Sequence, residues 1–336
     1  TSWTEFRAAL ARWKMPAAEF VYADVDGHIA TATAGYVPVR PPGRGGLPSA
    51  GWTAEAEWRG FQAADRLPSV FDPRDGVVAS APGSPARQQR VMEQLITAPA
   101  GTAAPLTFEA TRGLLRDTHA WNASQLVPLL APLKAAADPL VESARQRLLK
   151  WDRDVRVDSP DALLYVIWEH ALLRRLGSQR IPSPLLDEFV ARAGRVLVPS
   201  ITAPTAIWFD GEAARARDAL LIDSLTAAID DERRWTSADA SAVWGQFQLL
   251  TFRHPLAVND RARRRYDLGP FAVPGYHATL FATVRATAER TVAPGLEVAF
   301  NVKDWDASRA IVAPGQSAAP DSPHFADLAP LWMRGE

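Results

Sequence analysis

Apolar and polar positions divide the chain into three stretches of different period. Trp3, Phe6, Leu10 and Trp13 recur at helical spacing, which predicts a short amphipathic helix over 3–13 with Thr1 or Ser2 as its N-cap. The segment EFVYADVDGHIATATAGYVPVR then alternates like two strands, and Asp26-Gly27 between them supplies the positive φ of a hairpin turn. Residues 41–51 are a Pro/Gly loop. Residues 52–87 scatter Trp52, Trp58, Phe61 and Phe71 among turn formers, a pattern expected to lay its aromatics on a sheet rather than to build long elements. Helical spacing returns in the middle, with helices predicted over 86–96, 107–116, 122–136, 139–150, 160–176, 183–195, 211–230 and 238–249. Ser159-Pro160 and Ser237 are start signals, and Gly177 is a stop. From residue 251 the pattern turns to strands again, most clearly in VAPGLEVAFNVKDWDASRAIVAP. Strands, then helices, then strands is an α+β order and not a βαβ alternation. No repeat or low-complexity linker interrupts it. The chain therefore reads as one piece with three sections: 1–85 strands and aromatic loop, 86–250 helical, 251–336 strands and a C-terminal tail.

The 336 residues are 47% hydrophobic, enough for a sizeable core. A net charge of −1 gives no basic excess of the kind nucleic acid requires. The one dense basic run, RARRR at 261–265, reads as a solvated loop face. Without cysteine the chain has no disulfide, no thiolate chemistry and no Cys-ligated metal. No run of about 18 apolar residues predicts a membrane span. The chain opens at Thr1 with no basic-then-apolar leader, which suggests a processed product or a fragment without its own signal peptide.

Candidate chemistry is sparse. None of the six histidines stands at a metal-ligand spacing, and each reads as structural or surface. There is no nucleophile elbow, S-x-x-K, Walker loop or dinucleotide fingerprint. Asp24, Asp26, Asp304 and Asp306 could pair as acid and base, but turn formation explains them as well. Thr1 could act as a nucleophile with its own α-amino group as base, yet it leads straight into a helix rather than a buried strand.

Several ordered segments together resemble the penicillin acylase family of N-terminal-nucleophile hydrolases. They are TSWTEFRAAL, FVYADVDGHIATATAGYVPVR, LPSAGWTAEAEWRGF, RLPSVFDPRDGVVASA, LLKWDRDVRVDSPDALLYVIWEHAL, WGQFQLLTFRHPLA, DLGPFAVPG, and the tail VKDWDASRAIVAPGQSAAPDSPHFADLAPLWMRGE. The resemblance runs from Ser2 to Glu336. It implies part of a four-layer αββα sandwich with a large helical middle section. It also implies hydrolysis of a side-chain amide, with an acyl group from a β-lactam, an acyl-homoserine lactone or a lipopeptide. In this family an N-terminal Ser attacks the amide, and backbone and Asn donors hold the oxyanion. Family members are exported and cut into two subunits, which implies a periplasmic or secreted location and a partner chain carrying the N-terminal part.

The resemblance also marks two departures. The family's nucleophile precedes the helix at which this chain opens, so Thr1 matches an interior position. Pro82-Gly83 stand where the family carries paired asparagines, and no Asn lies between Ala30 and Ala120. This chain alone is therefore expected to be inactive. The alternative is an inactive family remnant, or a scaffold that binds acyl compounds. Within RQQRVMEQL, Arg90 matches the arginine that supports the oxyanion asparagine. It is either that supporting residue or a surface or core-edge Arg. Many members bind calcium, but their ligands lie largely in parts not represented here, so no cofactor or metal residue is carried over.

Overall fold

The computed structural model describes residues 2–42, 48–81, 83–96, 106–236, 242–287 and 290–336. Two compact units emerge: Thr1–Gly83 with Val91–Leu106 and Phe300–Ser308, and Ser84–Arg90 with Thr107–Ala299 and Arg309–Glu336. The mixture of helix and sheet follows the α+β expectation.

The first unit opens with α1 (Trp3–Leu10), capped by Ser2 and Glu5 in a reciprocal capping box. β1 (Ala18–Ala23) and β2 (Ile29–Ala34) form the predicted antiparallel hairpin, with Gly27 at φ 91 in its turn. β3 (Ser69–Phe71) pairs on the far side of β2. Rings from α1 cover one sheet face: Phe6 meets Phe20 and Tyr22, and Trp3 stacks on Phe71 at 5.6 Å. The aromatic segment departs in part from expectation. Phe61 stacks on Tyr36 at 4.5 Å, but Trp52 is 89% exposed. Val21 of β1 and Val70 of β3 also face solvent.

The second unit includes the start of α2 (Pro85–Leu95), up to Arg90, and continues with α3 (Phe108–Leu114), α4 (Trp121–Leu126), α5 (Pro139–Lys150) and α6 (Pro160–Ser178). α7 (Ser183–Arg192), α8 (Gly194–Thr202) and α9 (Ala213–Thr236) complete the helical part. The predicted helix over 122–136 is shorter than expected, ending as one 3-10 turn at Val127–Leu130. α6 is the centre. Ser159 Oγ caps it, Leu163, Leu164, Trp168, Leu172 and Leu176 are buried along it, and α9 packs beside it. Gly177 does not stop α6. It lies inside the helix, where a Cβ would come within 2.6 Å of the Phe189 ring on α7. Close helix approach is the reason for glycine there.

The helix expected over 238–249 does not form over its described part, 242–249. Ser237 lies outside the described residues, Trp244–Gln246 is a single 3-10 turn, and Leu249 already belongs to β4 (Leu249–Phe252). Tertiary contacts override the local spacing: Trp244 Nε1 donates to Gly275 O at 3.0 Å, and Leu250 pairs with Phe271. The RARRR run is no loop, but α10 (Asp260–Tyr266) capped by Asn259. β5 (Leu268–Ala272), β6 (Val284–Thr287), β7 (Arg290–Val292), β8 (Leu296–Ala299) and β9 (Arg309–Val312) follow, paired β4–β5, β6–β7 and β8–β9. α11 (Ala329–Arg334) ends the chain. Its Trp332 is fully buried and donates to Pro294 O at 3.0 Å. The Arg116 guanidinium lies over the Phe281 and Trp332 rings at 4.7 and 5.2 Å and pairs with Glu297 at 3.1 Å. No helix among the described residues is long and apolar enough to cross a membrane.

Candidate functional site

Arg90 projects from α2 onto Asp117, which follows α3. Its Nε donates to both carboxylate oxygens at 3.1 Å, and Nη2 donates to Oδ2 at 2.6 Å. The two side chains are 15% and 13% exposed. This side-on contact uses one Nε and one Nη2 hydrogen. The guanidinium keeps three other N–H donors, so Asp117 orients the fork without consuming it.

Asp117 is itself fixed. Its Oδ1 accepts from His119 N at 3.1 Å, and its carbonyl accepts from Phe281 N at 2.9 Å. The strand-like segment 118–120 is held against 153–155 by Ala120 N to Arg153 O and Val155 N to Thr118 O. His119 Nε2 lies 2.8 Å from Ser124 Oγ, and both residues are half-buried. Burial lowers the His119 pKa below its ordinary value, and the positive charges of Arg90 and Arg153 push the same way. His119 is therefore neutral near pH 7. A lowered folded-state value means that the stability due to neutral His119 is present above the unfolded pKa of about 6.5 and lost as pH falls through that value. We expect the urea midpoint to fall more between pH 7.5 and 5.5 in the parent chain than in His119→Gln. Equal falls would reject this assignment.

Sequence reasoning missed Asp117, His119 and Ser124. The cluster of polar groups in RDTHAWNAS was the available signal, but a partner 27 residues from Arg90 shows only in three dimensions. A second polar group sits in the helical core. Asn122 Nδ2 donates to Glu169 Oε1 at 2.6 Å, and burial, then the Glu169 charge, raises the Tyr165 and Tyr276 pKa values well above normal.

The other sequence candidates fall as follows. Asp24 builds its turn, accepting from Tyr22 Oη at 2.7 Å and from the Asp26 and His28 amides. Asp304 is the N-cap of the 3-10 turn Trp305–Ala307, which contains Asp306. His28 Nδ1 lies 2.6 Å from Asp72, which raises the histidine's pKa. Thr1 and Pro82 lie outside the described residues, and Gly83 has φ 78. Among the described residues no group of three or more His, Asp or Glu is placed to hold a metal.

Known proteins give this geometry a context. The solved thermostable penicillin G acylase from Alcaligenes faecalis is similar over 100% of this chain and 66% of its own, with a TM-score of 0.71 at 16% identity. The penicillin acylase 2 proenzyme of Pseudomonas sp. strain SE83 is 27% identical over 95% of this chain and 43% of its own length. An acyl-homoserine lactone acylase, QuiP of Pseudomonas aeruginosa, is 25% identical over 94% of this chain and 43% of its own. The chain thus spans less than half the length of these curated relatives. The penicillin amidase family model matches residues 1–336, and the chain belongs to that family.

Proposed function

We propose that this chain is part of an amidohydrolase. The full-length protein would cleave a side-chain amide through an acyl-enzyme, releasing a carboxylic acid and an amine. The acyl group would come from a β-lactam, an acyl-homoserine lactone or a lipopeptide. The observation that carries this reading is the family match over every residue, 1–336, with acylases among the relatives.

In this reading Arg90 is a positioning residue. Asp117 sets its plane, and its remaining N–H donors are left to hold the backbone that takes the place of the family's asparagines. The 336 residues alone are inactive, and a further N-terminal part or partner chain completes the site. Exposed Val21, Val70 and Trp52 in the first unit favour such a partner. A periplasmic or secreted location accompanies the proposal. The second reading, an inactive remnant or acyl-binding scaffold, is favoured by Gly83 and by the absence of Asn between Ala30 and Ala120, where the resembled family carries oxyanion asparagines.

A chromogenic acyl amide separates the readings. Turnover is expected from the full-length protein and not from this chain. Arg90→Ala in the full-length protein should lower kcat about tenfold with KM little changed. Hydrolysis by this chain alone would overturn its inactivity, and a full-length protein without turnover would favour the remnant.

A further inference from the structure

We propose that a cleft in the first unit, between α1 and β2, binds a short-chain or aryl carboxylate. The cleft has a volume of about 200 Å³ and is lined by Leu10 of α1, Ala32 and Ala34 of β2, and Leu67.

Its origin is legible in the strand register. Phe20 and Tyr22 of β1 lie opposite Ala32 and Ala30 of β2, so these side chains share the sheet face that α1 covers. On the other side of β2, Ala32 lies opposite Ser69. That face therefore has large rings along β1 and only alanine and serine in the middle. The rings carry the helix: Phe6 contacts Tyr22 at 5.2 Å, and Trp3 contacts Tyr22 at 5.4 Å and Phe71 at 5.6 Å. These contacts all come from the first half of α1. The last turn, with Leu10 and Ala11, has alanine methyls beneath it and cannot close onto them. The gap is a consequence of packing large rings beside methyl groups in one layer.

The wall is mostly apolar, with Thr33 and Ser69 among its lining, and two charged residues border it, Arg7 and Asp65. Arg7 borders the cleft and is half-buried. Its guanidinium lies 6.0 Å from the Trp3 ring centre and forms no ion pair among the described residues. Asp65 borders the same cleft, but it is exposed to water and not paired with Arg7. A half-buried arginine at the cleft wall, with N–H donors not used in an ion pair, selects a planar, two-oxygen acceptor. An engineered cavity of about 150 Å³ accepts benzene. This cleft thus holds one ring or a short alkyl chain, with the carboxylate beside Arg7. The proposal does not rest on amide hydrolysis, and its test needs no turnover.

The test is titration of the intact chain with hexanoate and with benzoate, followed by amide NMR shifts or calorimetry, with hexanol as the neutral control. Saturable binding with Kd of about 1 mM is expected, given the few atoms involved. Arg7→Gln should weaken hexanoate about tenfold and leave hexanol unchanged. Ala32→Leu should fill the cleft and abolish both. Equal affinity of hexanoate and hexanol, unaltered hexanoate binding in Arg7→Gln, or no saturation would each overturn the proposal. Arg7→Gln keeps a good helix former on α1 and decides the matter if Ala32→Leu does not fold.

Discussion

Replacing Trp168 by alanine is expected to destabilise the helical unit by about 3–5 kcal/mol, the usual cost of truncating a large ring in a closed core. Trp168 is fully buried in the middle of α6, the helix against which α9, α7 and α5 pack. Its ring edge faces Tyr165 at 6.1 Å. Its Nε1 donates to Ser224 Oγ at 3.0 Å and to Leu221 O at 3.3 Å, both on α9. Alanine would remove the ring, leave a cavity at the α6–α9 contact and break both hydrogen bonds of the indole to α9. Trp168→Phe retains most of the ring volume and should cost about 1–2 kcal/mol, mainly the lost hydrogen bond. Urea unfolding followed by helical circular dichroism measures both. A loss below about 1 kcal/mol for the alanine variant would mean that α6 is not the organising helix.

The same helix shows what could be read before the structure. Its start needed only Ser159, Pro160 and a run of apolar residues, and all three act locally. The hairpin β1–β2 was equally accessible, because strand period and a glycine with positive φ are properties of neighbours in sequence. Failures occur where distant contacts decide. Residues 244–249 have apolar spacing compatible with a helix. They become a turn and the start of a strand because Gly275 accepts the Trp244 indole and β5 offers a pairing edge. α8 went unread because Pro199 lies inside it, at a position that a local rule treats as a helix breaker. The site shows the same division. Arg90 is a candidate because its contiguous segment, RQQRVMEQL, resembles a family helix. Asp117, which sets its direction, lies on another element, so no local pattern in the sequence contains the pair.

That pair gives the second large effect. Asp117→Ala leaves the Arg90 guanidinium mostly buried without its carboxylate, and the expected loss is about 2–3 kcal/mol. The value is below that of a fully buried pair because both side chains keep some contact with water, at 15% and 13% exposure. Arg90→Met alone leaves the carboxylate with the His119 amide at 3.1 Å, so its cost should be smaller, about 1–2 kcal/mol. The double variant Arg90→Met/Asp117→Leu removes both charges and keeps apolar volume. It should lie within about 1 kcal/mol of the parent, since replacing a desolvated pair by hydrophobic side chains is often neutral. With Asp117→Leu as the matching single variant, expected to lose about as much as Asp117→Ala, the cycle predicts losses that do not add, with a coupling of at least about 2 kcal/mol. Additive losses would show that Asp117 does not hold Arg90 in place, and the positioning role would lose its structural basis. Strong coupling in stability, together with a fall in kcat for Asp117→Ala in the full-length protein, would tie the geometry of the pair to the reaction. Coupling without any effect on kcat would leave Arg90 as a core-edge arginine whose only work is to hold α2 to the segment after α3.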